Sequence, residues 1–165
     1  QKTAYEISLG LVGSEMCIRD RYSVAYKVKS LCKREGRDFV VPKLEAVWKS
    51  PRDAPREEWE WELRVRVPDF VGEEEVEEAR RLVSERVELA REVRLREVEE
   101  GLCIQALHVG PYGEEDRTVE RIREFAEERG LELIGPHHEV YISDPRRTPE
   151  ERLRTILRYR VRRRG

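Results

Sequence analysis

The chain has 165 residues, 41% of them charged, yet 33 Lys and Arg stand against 35 Asp and Glu for a net charge of −2. That balance excludes an electrostatic drive toward nucleic acid or an anionic membrane, and a 38% hydrophobic content with clear periodicity excludes global disorder. No apolar run is long enough to span a bilayer, no secretory signal opens the chain, and Cys17, Cys32 and Cys103 form neither a framework nor a CxxC pair, so one cytoplasmic domain is expected.

The opening stretch, QKTAYEISLGLVGSEMCIRDR, differs in character from all that follows. QKTAYE and LVGSEMCIRD resemble translations of the two constant halves of a transposase-type sequencing adapter, separated by a gap that fits a short sample index. Residues 1–21 are therefore read as an adapter-derived, non-native segment, and residues 22–165 as a single domain truncated at its N-terminus. Two features of the segment still suit a fold. Ile7, Leu9 and Leu11 alternate as in a strand, and SEMCIRDR carries no helix breaker ahead of Tyr22.

From Tyr22 the pattern is regular. YSVAYKVKSLCKREG spaces Val24, Val28 and Leu31 as a helix and stops at Gly36. RDFVVPKLEAVWKS reads as a strand, with Pro42 marking an edge or bulge. PRDAPREE is a turn. EWEWELRVRVPD alternates strictly, with Trp59, Trp61, Leu63, Val65 and Val67 on one face and Glu60, Glu62, Arg64 and Arg66 on the other, the mark of an antiparallel strand. GEEEVEEARRLVSERVELA is a helix with Val76, Ala79, Val83 and Val87 on one stripe. Two strands follow around Glu99–Gly101. Next comes a helix with Val119, Ile122 and Phe125 inward and Gly130 as its stop, then the short strand HHEVYISDP, a TPEE capping box begun by Thr148, and the strand RTILRYRV. The order predicts an α+β fold: two strand–helix–strand–strand units, the first lacking its opening strand, forming an antiparallel sheet with helices on one face and a central ligand cleft.

IQALHVGPYGEEDRTVERIREFAEERG and HHEVYISDPRRTPEERLRTILRYRV resemble the GyrI-like small-molecule-binding domain. GRDFVV, LEAVWK, WEW and HHEVYISDPRRT are similar to the patterns GRDYVV, LEGLWW, WxW and HHEIYLSDPRRT of its stand-alone branch, over about Tyr22 to Val161. The chain departs at Lys49, where the branch has a second tryptophan, so one wall of the pocket is polarised. The resemblance implies an aromatic-lined cleft between the repeats with an acid at its floor. Some relatives sense bulky, often cationic drugs; the stand-alone branch includes hydrolases that open cyclopropanoid genotoxins by adding water. It implies a hydrophobic or cationic aromatic small molecule as partner, with no cofactor, nucleic acid or membrane.

The residues bear on this independently. In HHEVYI, period two sets His137, Glu139 and Tyr141 on one face and His138, Val140 and Ile142 on the other. The aliphatic face is expected to meet the helices, leaving the polar face to solvent or a pocket. In a pocket, aromatic walls would raise the Glu139 pKa, the profile of a general base or of a counter-ion for a cation. Trp59 and Trp61 read as core or as pocket wall, and Trp48, at a strand end, as pocket wall. Glu45 reads as solvated or salt-bridged. His108, His137 and His138 form no metal-ligand pair, because adjacent strand residues point oppositely and no HxxxH spacing is present. The basic tail RYRVRRRG reads as a solvated strand edge, with no helix-turn-helix in residues 22–165. Two functions stay open: a hydrolase with Glu139 and Tyr141 catalytic and Trp48, Trp59, Trp61, His137 and Tyr112 binding the ligand, or a non-catalytic module holding hydrophobic or cationic compounds.

Overall fold

Helical and alternating patterns settle into three helices and eight strands in a computed structural model that describes residues 3–10 and 15–165, with the side chains of 22–55 and 57–165. In chain order these are β1 (Thr3–Gly10), α1 (Glu15–Arg34), β2 (Glu45–Trp48), β3 (Trp61–Val67), α2 (Glu73–Ser84), β4 (Arg94–Glu99), β5 (Cys103–Val109), α3 (Glu115–Glu128), β6 (Leu131–Leu133), β7 (His138–Tyr141) and β8 (Arg154–Arg163). Gly36 and Gly130 end α1 and α3 with φ of 79° and 66°, a conformation that a residue with a Cβ adopts at a cost.

The strands run antiparallel in the order β4-β1-β3-β2-β7-β8-β5, with β6 paired to the end of β8. Outward from the β2–β7 seam the order is β2-β3-β1 on one side and β7-β8-β5 on the other. The units β1-α1-β2-β3 and β5-α3-β7-β8 are thus the two expected copies. The place of the first copy's opening strand is taken by residues 3–10, which pair with both β3 (Ile7 opposite Val65) and β4 (Ile7 opposite Leu95). EMCIRDR likewise forms the start of α1, at Glu15, while Leu11 and Ser14 lie outside the described residues.

The sheet is strongly curved. Its edge strands β4 and β5 lie six interstrand steps apart, about 29 Å on a flat sheet at about 4.8 Å per step. Only Glu100–Leu102 join them, and the four peptide steps from Glu99 to Cys103 reach at most about 14 Å. The sheet must therefore bend around the face that Glu100 crosses. Glu100 does cross it, pairing with Arg66 of β3 at 2.8 Å and Arg158 of β8 at 3.1 Å.

The opposite face carries the helices. Val24, Ala25 and Val28 of α1 and Val76 and Ala79 of α2 pack on Ala46, Leu63 and Val65, all buried. Val119 and Ile122 of α3 pack on Leu157 and Tyr159. Each such aliphatic side chain stabilises the fold by about 1.5–3 kcal/mol on leaving water.

Several local expectations are corrected. Arg37–Leu44 is extended but unladdered, and the strand starts only at Glu45. Phe125 is 43% exposed beneath the Arg129 guanidinium, and Ala126 takes the inward place on α3. Val87 lies beyond the end of α2, and Thr148 caps no α-helix, because Glu150–Arg152 form a single 3-10 turn. The tail is not a free edge: Val161–Arg163 pair with β6, which the sequence pattern did not single out. The charged face of β3 is not solvated either. Glu62 and Arg64 are 5% and 8% exposed and joined at 2.7 Å, while Glu62 also takes Arg96 at 2.9 Å.

Candidate functional site

The two faces of β7 lie opposite to expectation. Glu139 stands across from Ala46 and Leu157, both core residues under the helices, so the row His137–Glu139–Tyr141 is on the helix-covered face. His138 points to the concave face, where its Nε2 meets Glu45 at 2.8 Å. That face holds Arg66, Arg158, Glu45 and Glu100, so His138 enters a charged network there, while alternation along the strand puts His137 on the helix-covered face.

Over the seam, between the turn that follows β2 and α3, opens a cleft of about 350 Å3. Trp48, Lys49, Arg52, Arg123, His137 and Tyr159 line it. Trp48 packs edge-on against Trp59 at 5.1 Å and Trp61 at 4.8 Å, and its ring lies 6.3 Å from His137. His137 Nε2 meets Glu139 Oε1 at 2.9 Å; the Tyr141 hydroxyl donates to Glu139 Oε2 at 2.5 Å; Tyr112 abuts Tyr141 edge-on at 6.0 Å. All seven residues singled out in the sequence therefore form one continuous group. Trp59 precedes β3 rather than lying in it, with its indole N–H bonded to the Ala54 carbonyl. The indole nitrogens of Trp48 and Trp61 are buried with no acceptor among the described residues, and of the two only Trp48 lines the cleft.

Three further members were missed. Glu115, 2% exposed, sets Oε2 at 3.3 Å from His137 Nε2 and 3.6 Å from Arg52. Arg52 spans His137 Nε2 at 3.1 Å and Asp116 at 2.6 Å. The Tyr159 hydroxyl contacts His137 Nδ1. Glu115 had a legible signal: it is four residues before Val119, so the buried stripe of α3 continues back onto it. Tyr159 alternates with Leu157 and Val161 on β8, whereas Arg52 sits in a proline-bearing turn with no pattern.

The electrostatics also differ from expectation. Burial pushes Glu139 up, but hydrogen bonds with His137, Glu115 and Tyr141 outweigh it and hold its pKa below the usual value. The raised acid is Glu115, pushed up to about 7 by burial and by the Glu139 charge against the opposing His137 bond. Burial would lower His137, and the Arg52 charge works the same way, yet bonds to Glu115 and Glu139 leave its pKa raised. Burial and the Glu139 charge drive the Tyr141 phenol well above its ordinary value.

Two His-carboxylate groups bring donor atoms within 4.8 Å, Glu45–Glu100–His138 and Glu115–His137–Glu139. Guanidiniums stand against both: Arg66 and Arg158 on the first, Arg52 on the second. Chemically, the helix-covered group joins a carboxylate held low, an imidazole held high and an acid near neutrality beside an aromatic wall. It can lift a proton from water, return one, and hold a flat ring.

The chain resembles known proteins along nearly its whole length. Residues 73–162 match the model of the GyrI-like small molecule binding domain. A structure described as an uncharacterized conserved protein from Listeria innocua is 33% identical, with a TM-score of 0.87 over 97% of this chain and 88% of that one. A structure described as a hydrolase from Listeria innocua is 34% identical, with a TM-score of 0.84 over 97% and 88% of the two chains. The EcmrR C-terminal domain, 12% identical with a TM-score of 0.62 over 99% and 94%, shares the fold. No curated protein matches.

Proposed function

The chain belongs to the GyrI-like family of small molecule binding domains, and on that premise we propose that it is a hydrolase adding water to strained, electrophilic aromatic compounds of the cyclopropanoid type. One observation carries this reading: an ionised, buried Glu139, held by Tyr141, is bonded to His137, which lines the cleft beside Trp48. In a cyclopropanoid substrate the flat ring system stacks on Trp48, with Trp59 and Trp61 behind it. Glu139 takes the proton of a water whose oxygen bonds to the strained ring carbon. The ring C–C bond breaks, and its electron pair passes into the conjugated carbonyl, which becomes a phenol on protonation. Tyr141 fixes the carboxylate through its donated hydrogen bond, and Tyr112 packs behind it. The structure named a hydrolase supports this reading through its likeness to this chain.

The test is incubation of the protein with a cyclopropanoid compound and mass spectrometry for the water adduct. Glu139→Gln is expected to bind a neutral aromatic ligand as well as the parent and to lose about 100-fold or more in rate, the scale of a general base. A second reading, a module that holds aromatic cations without turnover, draws on the Glu115–Glu139 acid pair beside Trp48. Its signature is loss of cationic ligands alone in Glu139→Gln, with no adduct from the parent.

A further inference from the structure

We propose that Glu115 is the proton store of the site: a buried carboxylic acid behind His137 and Glu139 that replaces the proton His137 gives to the bound molecule and takes back the one Glu139 lifts from water. The proposal rests on the hydrolytic reading above. Of the three only His137 lines the cleft, and Glu115 meets it from the α3 side, so Glu115 acts through His137 and Glu139 as a positioning residue and not on the substrate.

The geometry carries it. Glu115 Oε2 lies 3.3 Å from His137 Nε2, the same nitrogen that meets Glu139 at 2.9 Å, so one imidazole edge faces both carboxyls. Glu115 Oε1 is buried with no partner among the described residues. A bare carboxylate oxygen in that position would lose its hydration without replacement, whereas a protonated acid is neutral. Facing Glu115 are His137, Glu139 and Tyr141 from the β7 segment, Arg52 from the turn after β2, Tyr159 from β8 and Tyr112 ahead of α3, with Asp116 beside it held by Arg52. None of the others fits the part. Arg52 does not release its proton at working pH. The three phenols are all raised by burial, and Asp116 is an exposed ion. Glu115 is the one carboxyl among the described residues that is pushed up toward neutrality, while Glu139 beside it is pushed down. Two acids driven apart in this way divide the roles of proton donor and proton acceptor.

The cycle balances. Water loses a proton to Glu139 as its oxygen bonds to carbon. The electron pair of the broken ring bond ends on the carbonyl oxygen, which takes a proton from the His137 imidazolium. His137 recovers one from Glu115, and Glu115 recovers one from Glu139. One water is consumed and the protein returns to its starting state.

The test has two arms on the full chain. With carboxyl-labelled glutamate, NMR titration of the parent is expected to show one acid with a midpoint near 7, absent in Glu115→Gln. In the pH–rate profile, parent activity is expected to fall above about pH 7, as the store empties. Below that pH, Glu115→Gln is expected to be about 10-fold or more slower, with this limb gone, while neutral aromatic binding followed by tryptophan fluorescence stays within about 2-fold. Glu115→Asp keeps an acid on a shorter arm and retains a displaced limb, which decides the matter if the Gln variant does not fold. No glutamate titrating above pH 6, or a limb unmoved in the variants, overturns the store alone. A parent without turnover overturns the hydrolytic reading, and the store's role falls with it.

Discussion

Tyr141 donates its hydroxyl proton to Glu139 across 2.5 Å, two residues apart on one face of β7. The phenol is held protonated by burial and by the charge it serves, so it positions the carboxylate and does not compete for its proton. Removing it in Tyr141→Phe is expected to raise the Glu139 pKa and move the acid limb of the pH–rate profile upward. The rate at neutral pH is expected to fall about 10-fold, with about 1 kcal/mol lost in urea unfolding. An acid limb that stays in place would show that the bond does not tune Glu139.

Trp48 and Trp61 touch at 4.8 Å yet stand in different surroundings, Trp48 lining the cleft and Trp61 behind it in β3. Trp48→Ala is expected to weaken binding of flat aromatic ligands about 10-fold or more and to cost less stability than Trp61→Ala. The latter is expected to lose about 3 kcal/mol, the scale for truncating a packed tryptophan. Ligand titration and urea unfolding on both variants check the assignment, and the reverse pattern would exchange wall and support.

Glu115 makes stability depend on pH with a defined sign. Its folded pKa of about 7 lies above its unfolded value, so its contribution is fully present below pH 4.5 and is lost as pH rises toward 7. Glu115→Gln removes that loss. The stability of the variant relative to the parent is expected to rise from pH 5 to pH 7.5 by on the order of 2 kcal/mol. Urea midpoints at four pH values in that range test it, and a constant difference would place the titration elsewhere.

Strand β1 pairs on both sides, through six residues with β3 and six with β4. On the reading that residues 1–21 are foreign in origin, they fill a strand's place by alternation alone, since a ladder demands backbone and a matching pattern but no particular sequence. Deleting residues 1–21 strands β4 without a neighbour. The melting temperature is expected to fall by about 10 °C or more. A change within about 2 °C would show that the ladder carries no stability.

Periodicity made the helices, the β3 strand and the duplicated order legible, because each buries one face against the other layer. It also placed His137, Glu139 and Tyr141 on a common face. It did not say which face. Alternation separates two sides, and assigning the aliphatic side to the helices assumes that charges seek water. Here Glu45, Glu62, Arg64 and His138 are buried together, a collective arrangement across three strands that no single strand displays. The same blindness hid Arg52, which reaches His137 from a turn. Glu115 was hidden for another reason: an acid in the first turn of a helix is ordinarily explained by the helix dipole, so its place on the buried stripe drew no notice.

The curvature of the sheet has an optical analogue in an iris. The sheet bends away from its helices, and the cleft opens beside the β2–β7 seam where the turn Lys49–Arg52 faces Val119 and Arg123 of α3. Behind it, on the concave side, Glu100 ties β3 to β8 through Arg66 and Arg158 like a drawstring. The drawstring does not make the bend, which the three-residue join of β4 to β5 already imposes; it holds the two halves of the sheet together through ion pairs on the face away from the cleft.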